Sequence, residues 1–576
     1  MKYSFKFLLI IAILFFNEKA LQAQDFTDLK NAKAVTLSGS LQIRNVNINS
    51  SRYQIPKINT DAKNVLLLGG DLNVNIYGID VPLSFIFSNG EKSFNQPFNQ
   101  YGASPKYKWL TIHAGYRNLN YNQFTLAGYT MLGGGFDATP GKWRIGAMYG
   151  RLARATTIDT ISGTLQPFSF TRKGLAAKIG YGSDNNFFEI SAIKANDDAN
   201  SVDFNIDAVN KRYNNNITPA ENLATGFKSK ITIVKKLFVE TELGLSIYTR
   251  DVNNKTDLGM INSQALINSI KKLVLINATT EYYKAIQAAI GYQEKNWTLK
   301  LKYIRIDPEY KSMGAYFLNS DVQNITIAPT VRFLKNKLNI GSSIGIQNDN
   351  LNGNKRTTAH RTIGSLNINA QVNKHFNISS NFSNYSVNQT PNITRLADTL
   401  RITQTTQNIS VTPMYYFTTK NIQHTIVFTA NYNKLNDYND SYAANQYSRD
   451  INATTAFLNY NLNYLPHQIG VTVGLNYSNI MGTAIADDNK GATLGLNKSF
   501  FKNKLQLRTA ATYLNGKRNN QLTTSVNGNA MLNYKISRMQ QLQLLAFYNS
   551  TTFNDILLSN KNFHELRNEV VYTLSF

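Results

Sequence analysis

Lys228 and Lys230, Glu240 and Glu242, and Lys300 and Lys302 form three like-charged pairs, the members of each two residues apart. Along an extended strand that spacing places both members on one face. Arg172, Lys178, Glu189, Arg508 and Glu569 fall on the polar side of their own alternating stretches in the same way. Charges gathered on one face need water or each other. Two chemistries follow: an excess of bases that attracts and passes anionic solutes, or bases and acids that neutralise one another across neighbouring strands.

Other chemistry finds little support. The chain has no cysteine, which excludes thiolate metal sites, cysteine nucleophiles and disulfides. Its six histidines, at 113, 360, 375, 424, 467 and 564, lie far apart without metal-ligand spacing. No phosphate-binding GxxxxGK[ST] loop or dinucleotide fingerprint stands out. No cofactor or metal is therefore expected. His113, His424 and His467 fall near the ends of alternating stretches, where Ser and Asn abound, but no spacing singles out a catalytic triad. They read as interfacial polar residues, and the chain does not read as an enzyme.

The elements that must carry these charges are strands. Leu338, Ile340, Ile344 and Ile346 alternate with Asn339, Gly341, Ser343 and Gly345; Ile469, Val471, Val473, Leu475 and Tyr477 alternate with Gly470, Thr472, Gly474 and Asn476. Such runs reach about ten residues, the length of a tilted membrane-crossing strand rather than the usual five or six of a soluble one. Tight turns recur around Lys235-Lys236, Lys335-Asn336-Lys337, Thr419-Lys420-Asn421 and Lys502-Asn503-Lys504. Long polar connections occupy residues 196–222, 251–277, 307–321, 388–401 and 436–450. Short turns on one rim and long loops on the other predict an all-β transmembrane antiparallel barrel, with periplasmic turns and extracellular loops.

Counting gives 24 or 26 strands, because residues 107–124 either cross or fold into the pore. Glycine crowds residues 128–135, which predicts a constriction, a chain against the inner wall, or a strongly bent strand.

Composition agrees. Hydrophobic residues are 42% of the 576 and mean hydropathy is −0.30, too polar for a helical membrane protein but compatible with a wet-lumen barrel. Lys2 and Lys6, the apolar run 7–16 and Leu21-Gln22-Ala23 predict a signal peptide over residues 1–23. A short periplasmic lead follows at 24–34, and the barrel occupies 35–576. The net charge is +25, and the predicted signal carries three Lys and one Glu of it.

The chain closes on Val570, Tyr572, Leu574 and Phe576 at alternate positions, ending on an aromatic residue. That pattern resembles the terminal strand read by the barrel assembly machinery of Gram-negative cells; Asn568 departs from it. With its Asn-, Tyr- and Lys-rich strands, the chain looks like a large Bacteroidota-type outer-membrane barrel without the plug domain of TonB-dependent receptors. The resemblance implies outer-membrane lipid as a partner, no nucleic acid, and either a porin-like conduit or an occluded barrel that docks a periplasmic or surface protein.

Overall fold

The computed structural model describes residues 35–51, 64–89, 99–156, 169–202, 217–256, 272–315, 318–354, 360–389, 402–437, 450–482, 485–555 and 562–576. The signal and lead expected over residues 1–34 lie outside them. The described chain is a single antiparallel sheet closed on itself. Val35–Ser50 pairs with Phe563–Ser575 from Ser40 opposite Ser575 to Ser50 opposite Glu565. Gln100–Ala103 and Lys106–Tyr107 both pair with the flanking strands Ile79–Ser88 and Leu110–Asn118, so they form one crossing. Pro105 interrupts that crossing because it has no N–H to donate. The 27 strand segments therefore make 26 crossings.

Of the sequence alternatives, 26 holds, although the disputed stretch divides. Residues 110–118 and 130–138 cross as paired strands, while residues 119–129 between them turn into the interior. The glycines explain the close pairing: a Cβ on Gly133 would strike the Tyr149 carbonyl, and one on Gly150 the Leu132 carbonyl.

The tight turns read from sequence all fall on one rim and the long connections on the other. The near copies Phe-Leu-Lys-Asn-Lys-Leu at 333–338 and Phe-Phe-Lys-Asn-Lys-Leu at 500–505 fold in the same way. Leu334, Lys335 and Asn336 have φ of 51°, 56° and 68°; Phe501, Lys502 and Asn503 have 49°, 53° and 67°. Asn tolerates this left-handed region and β-branched residues do not. Asn503→Val is expected to cost about 1 kcal/mol, read as a lower urea midpoint of the folded barrel, while Asn503→Gly leaves the midpoint equal or higher.

Outward side chains are apolar and exposed, among them Leu175, Ile179, Ile231, Leu245, Ile327, Ile344, Leu475, Leu494 and Val570. A contiguous apolar exterior of this extent needs a hydrocarbon cover. All three tryptophans belong to the short-turn rim: Trp109 in a turn, Trp143 and Trp297 as the first residues of their strands. Trp143 stacks edge-on with Tyr181 at 5.3 Å, and Trp297 lies 5.3 Å from Tyr292. Amphipathic aromatics in a ring are what a membrane–water boundary selects.

Candidate functional site

Inside the barrel, residues 119–129 abandon the two-residue period. Asn122 makes the turn: its Oδ1 accepts from the Phe124 N–H at 2.8 Å, and its carbonyl accepts from the N–H groups of Thr125 and Leu126. That local bonding is ordinary asparagine turn chemistry. It projects Tyr121, Phe124 and Leu126, each 2% exposed or less, against the inner wall.

The wall is shaped to receive them. Gly226 of Glu221–Ile233 and Gly244 of Leu237–Thr249 are direct cross-strand partners, giving a two-strand notch without side chains. A Cβ on Gly226 would lie 2.8 Å from Asn122 Cγ; one on Gly244 would strike Phe124 Cβ and lie 2.7 Å from the Tyr310 hydroxyl. Asn122 Nδ2 donates across the notch to the carbonyls of Phe227 (3.2 Å) and Leu243 (3.4 Å).

The connection between Trp297–Ile306 and Val322–Phe333 clamps the segment from the other side. The Tyr310 hydroxyl donates to the Phe124 carbonyl at 2.9 Å, and Ser312 Oγ donates to the Thr125 carbonyl at 2.8 Å. Asn222, fully buried, accepts from the Met313 N–H at 2.9 Å and donates to Ser246 Oγ, which donates to the Lys311 carbonyl. Burial holds the Lys311 ammonium below the usual lysine pKa. The buried apolar cluster around this clamp ends, in chain order, at Val322.

The opposite wall is largely uncharged hydrogen-bonding surface, Arg508 and the Arg518–Asp487 pair apart. Ser379 Oγ donates to Asn369, Thr472 Oγ1 to Asn461, and Asn476 Nδ2 to Thr493, whose hydroxyl lies 2.7 Å from that of Thr512. The filling is thus eccentric.

The charged residues singled out by spacing share the interior face, and most are paired. Lys228 Nζ lies 2.8 Å from Glu242, Lys230 Nζ lies 3.5 Å from Glu240, and Lys300 also bonds Glu240. Arg172 donates to Asp197, and Lys178 lies 2.9 Å from Asp137. Glu189 sits between Arg144, at 3.4 Å, and its cross-strand neighbour Lys228. Glu569 takes Arg44 and Arg567 together. Lys302 stands opposite Ala289 and Thr326, with no carboxylate of its own within ion-pair distance among the described residues. Four lysines around two glutamates leave a basic surplus at Lys230, Lys300 and Lys302, with Phe238 under two of them at 5.7 and 5.8 Å. Arg508 is exposed on the interior face, in the cross-strand row of Met531, Leu545 and Glu569.

His113 is no rim residue: it is 8% exposed, with Ser104 Oγ 2.9 Å from Nδ1 and Asp137 Oδ2 2.9 Å from Nε2. Sequence spacing missed this line of hydroxyl, imidazole and carboxylate, although the turn at Lys108-Trp109 places Ser104 opposite His113. Neither backbone position beside the hydroxyl offers a free oxyanion donor. The Ser104 N–H is committed to the Pro82 carbonyl, and Pro105 has no N–H. With Lys178 also on Asp137, the line works as a buried polar strut.

No protein-family model matches the chain, and no curated protein matches it. Solved structures that resemble it do so weakly. The P pilus usher (PapC) translocation pore aligns at 11% identity over 94% of this chain and 99% of its own, with a TM-score of 0.38. The FrpB iron transporter from Neisseria meningitidis aligns at 10% identity over 95% and 83%, with a TM-score of 0.37. OccAB2 from Acinetobacter baumannii aligns at 10% identity over 62% and 93%, with a TM-score of 0.29.

Proposed function

We propose that this barrel is a porin-like conduit of a Gram-negative outer membrane, of the Bacteroidota type, that passes small anionic solutes. The observation that carries the reading is the eccentric clamp, which narrows the interior from one side and leaves a largely uncharged polar wall facing it. A barrel of 26 strands would otherwise enclose a wide lumen, since diameter grows with strand number. The solute path then runs between residues 119–129 and the Asn- and Thr-lined wall, beside the surplus of Lys230, Lys300 and Lys302. Uncompensated bases along a pore lower the barrier for anions. Val570, Tyr572, Leu574 and Phe576, which share the outward face, serve in this reading as the assembly signal.

Reconstituted into planar bilayers under a salt gradient, the purified protein is expected to give stepwise currents that reverse on the anion side of zero. Lys300→Gln with Lys302→Gln is expected to bring the reversal potential substantially toward zero. Cation preference in the unaltered protein would overturn the anion assignment; absence of current would overturn the conduit.

A second reading draws on the short-turn rim, to which Lys235, Lys236, Lys335, Lys337, Lys502 and Lys504 contribute from three separate turns. Basic turns on one rim suit docking of an acidic periplasmic protein. A barrel without conductance that retains such a protein through purification, and releases it in high salt, would favour docking over conduction.

A further inference from the structure

The interior clamp has a counterpart outside. On the outward face, Ile190, Phe227, Leu243, Ile286 and Arg305 are successive cross-strand partners over five neighbouring strands. The next row toward the long-loop rim runs Thr225, Leu245 and Lys284. Together they line a concavity of about 1080 Å³, bounded at that rim by Asp307, Pro308 and Asn352. Its volume reaches the upper end of the ~300–1,000 Å³ typical of small-molecule sites. The groove lies directly behind the glycine notch, because Gly226 and Gly244 also border it.

One end of the groove is apolar and the other is cationic. Arg305 Nε is 3.9 Å from Asp307 Oδ1, beyond hydrogen-bond length, and its Nη1 donates to Gln323 at 3.5 Å. The Asp307 carboxylate is already engaged by the Lys284 backbone N–H at 2.8 Å, while the Lys284 side chain is exposed. Two cations thus face one committed carboxylate on a surface that elsewhere points greasy residues outward. A base facing lipid is tolerated near the interface and disfavoured toward the midplane, so this placement suits a headgroup at the outer boundary.

We infer that this groove binds an anionic phospholipid-like amphiphile of the surrounding leaflet, its phosphate held by Lys284 and Arg305 and an acyl chain laid along Ile190, Phe227, Leu243 and Ile286. The inference rests on the membrane-barrel reading. Charge complementarity selects a phosphate, and the apolar row selects a chain attached to it rather than a free ion.

The test is native mass spectrometry of the intact detergent-solubilised barrel, titrated with phosphatidic acid and with phosphatidylcholine of the same chains. One tight equivalent of phosphatidic acid, at least tenfold preferred, is expected for the unaltered protein. Lys284→Gln with Arg305→Gln is expected to abolish the preference, and Lys490→Gln, an outward lysine beside Tyr477, to leave it intact. Equal binding of both lipids, an unaltered preference in the double variant, or complete competition by millimolar inorganic phosphate would overturn the inference. A protein that stays monodisperse without detergent would instead sink the membrane reading itself, which separates the two failures.

Discussion

Gly244→Val is expected to release residues 119–129 from the wall and raise single-channel conductance several-fold. The new side chain's Cβ would clash with Phe124 Cβ and lie 2.7 Å from the Tyr310 hydroxyl. Neither neighbour can yield: Phe124 is 1% and Tyr310 4% exposed, and the two are joined by the hydrogen bond from Tyr310 to the Phe124 carbonyl. Overpacking of this kind costs about 1–3 kcal/mol where the surroundings adjust. Here the wall is a closed hydrogen-bonded sheet, whereas the segment is held by a few side-chain and connection contacts, so the segment moves. Once displaced, it loses the Asn122 bonds to Phe227 and Leu243 as well as the burial of Tyr121 and Leu126. Gly226→Val is expected to act alike through Asn122 and Thr125. Gly341→Val supplies the control, because a Cβ at that interior glycine meets only Thr330 Cγ2 at 3.8 Å. Conductance that stays unchanged in Gly244→Val while the barrel remains folded would show that the segment does not limit passage. An equal rise in Gly341→Val would place the limit elsewhere.

This clamp also marks where the sequence stops being legible. Strand alternation is visible because the pleat forces it at every second residue, and the rims because their turns need residues tolerant of positive φ, as at Asn336 and Asn503. The charge ladder was within reach. A turn centred on Lys235 pairs Lys228 with Glu242, Lys230 with Glu240 and Gly226 with Gly244 by hairpin register alone, and those are the observed partners. Nothing local distinguishes the Gly226 and Gly244 pair from glycines that merely loosen a strand. Their meaning comes from Asn122 and Phe124, about a hundred residues away, and the clamp comes from Tyr310 and Ser312, nearly two hundred beyond those. Such contacts follow from closure of the whole barrel, which no short-range period encodes. The same limit hid His113: its partner Ser104 follows from one hairpin, but Asp137 sits diagonally on the next strand, where His113 itself faces Gly135.

Glu569→Ala is expected to loosen the barrel at its seam by about 3 kcal/mol, the low end of the ~3–5 kcal/mol for removing one partner of a buried ion pair. Glu569 is 4% exposed and lies on the last strand. It accepts from Arg44 of the first strand through Nε at 2.9 Å and Nη2 at 2.6 Å, and from Arg567 of its own strand at 2.5 Å. Without it, two guanidinium groups face each other across the pairing that joins the first and last described strands. Both keep partial access to lumen water, with side chains 38% and 41% exposed, which is why the loss falls at the lower end. The readout is the urea midpoint for loss of the compact, heat-modifiable band on electrophoresis. Arg44→Gln with Glu569→Gln is expected to cost less than the sum of the two single changes, by at least about 1 kcal/mol, because residues in one ion-pair network couple. Strict additivity would remove the seam from the account. A midpoint unmoved by Glu569→Ala would mean that the eleven backbone register partners from Ser40 opposite Ser575 to Ser50 opposite Glu565 hold the closure unaided.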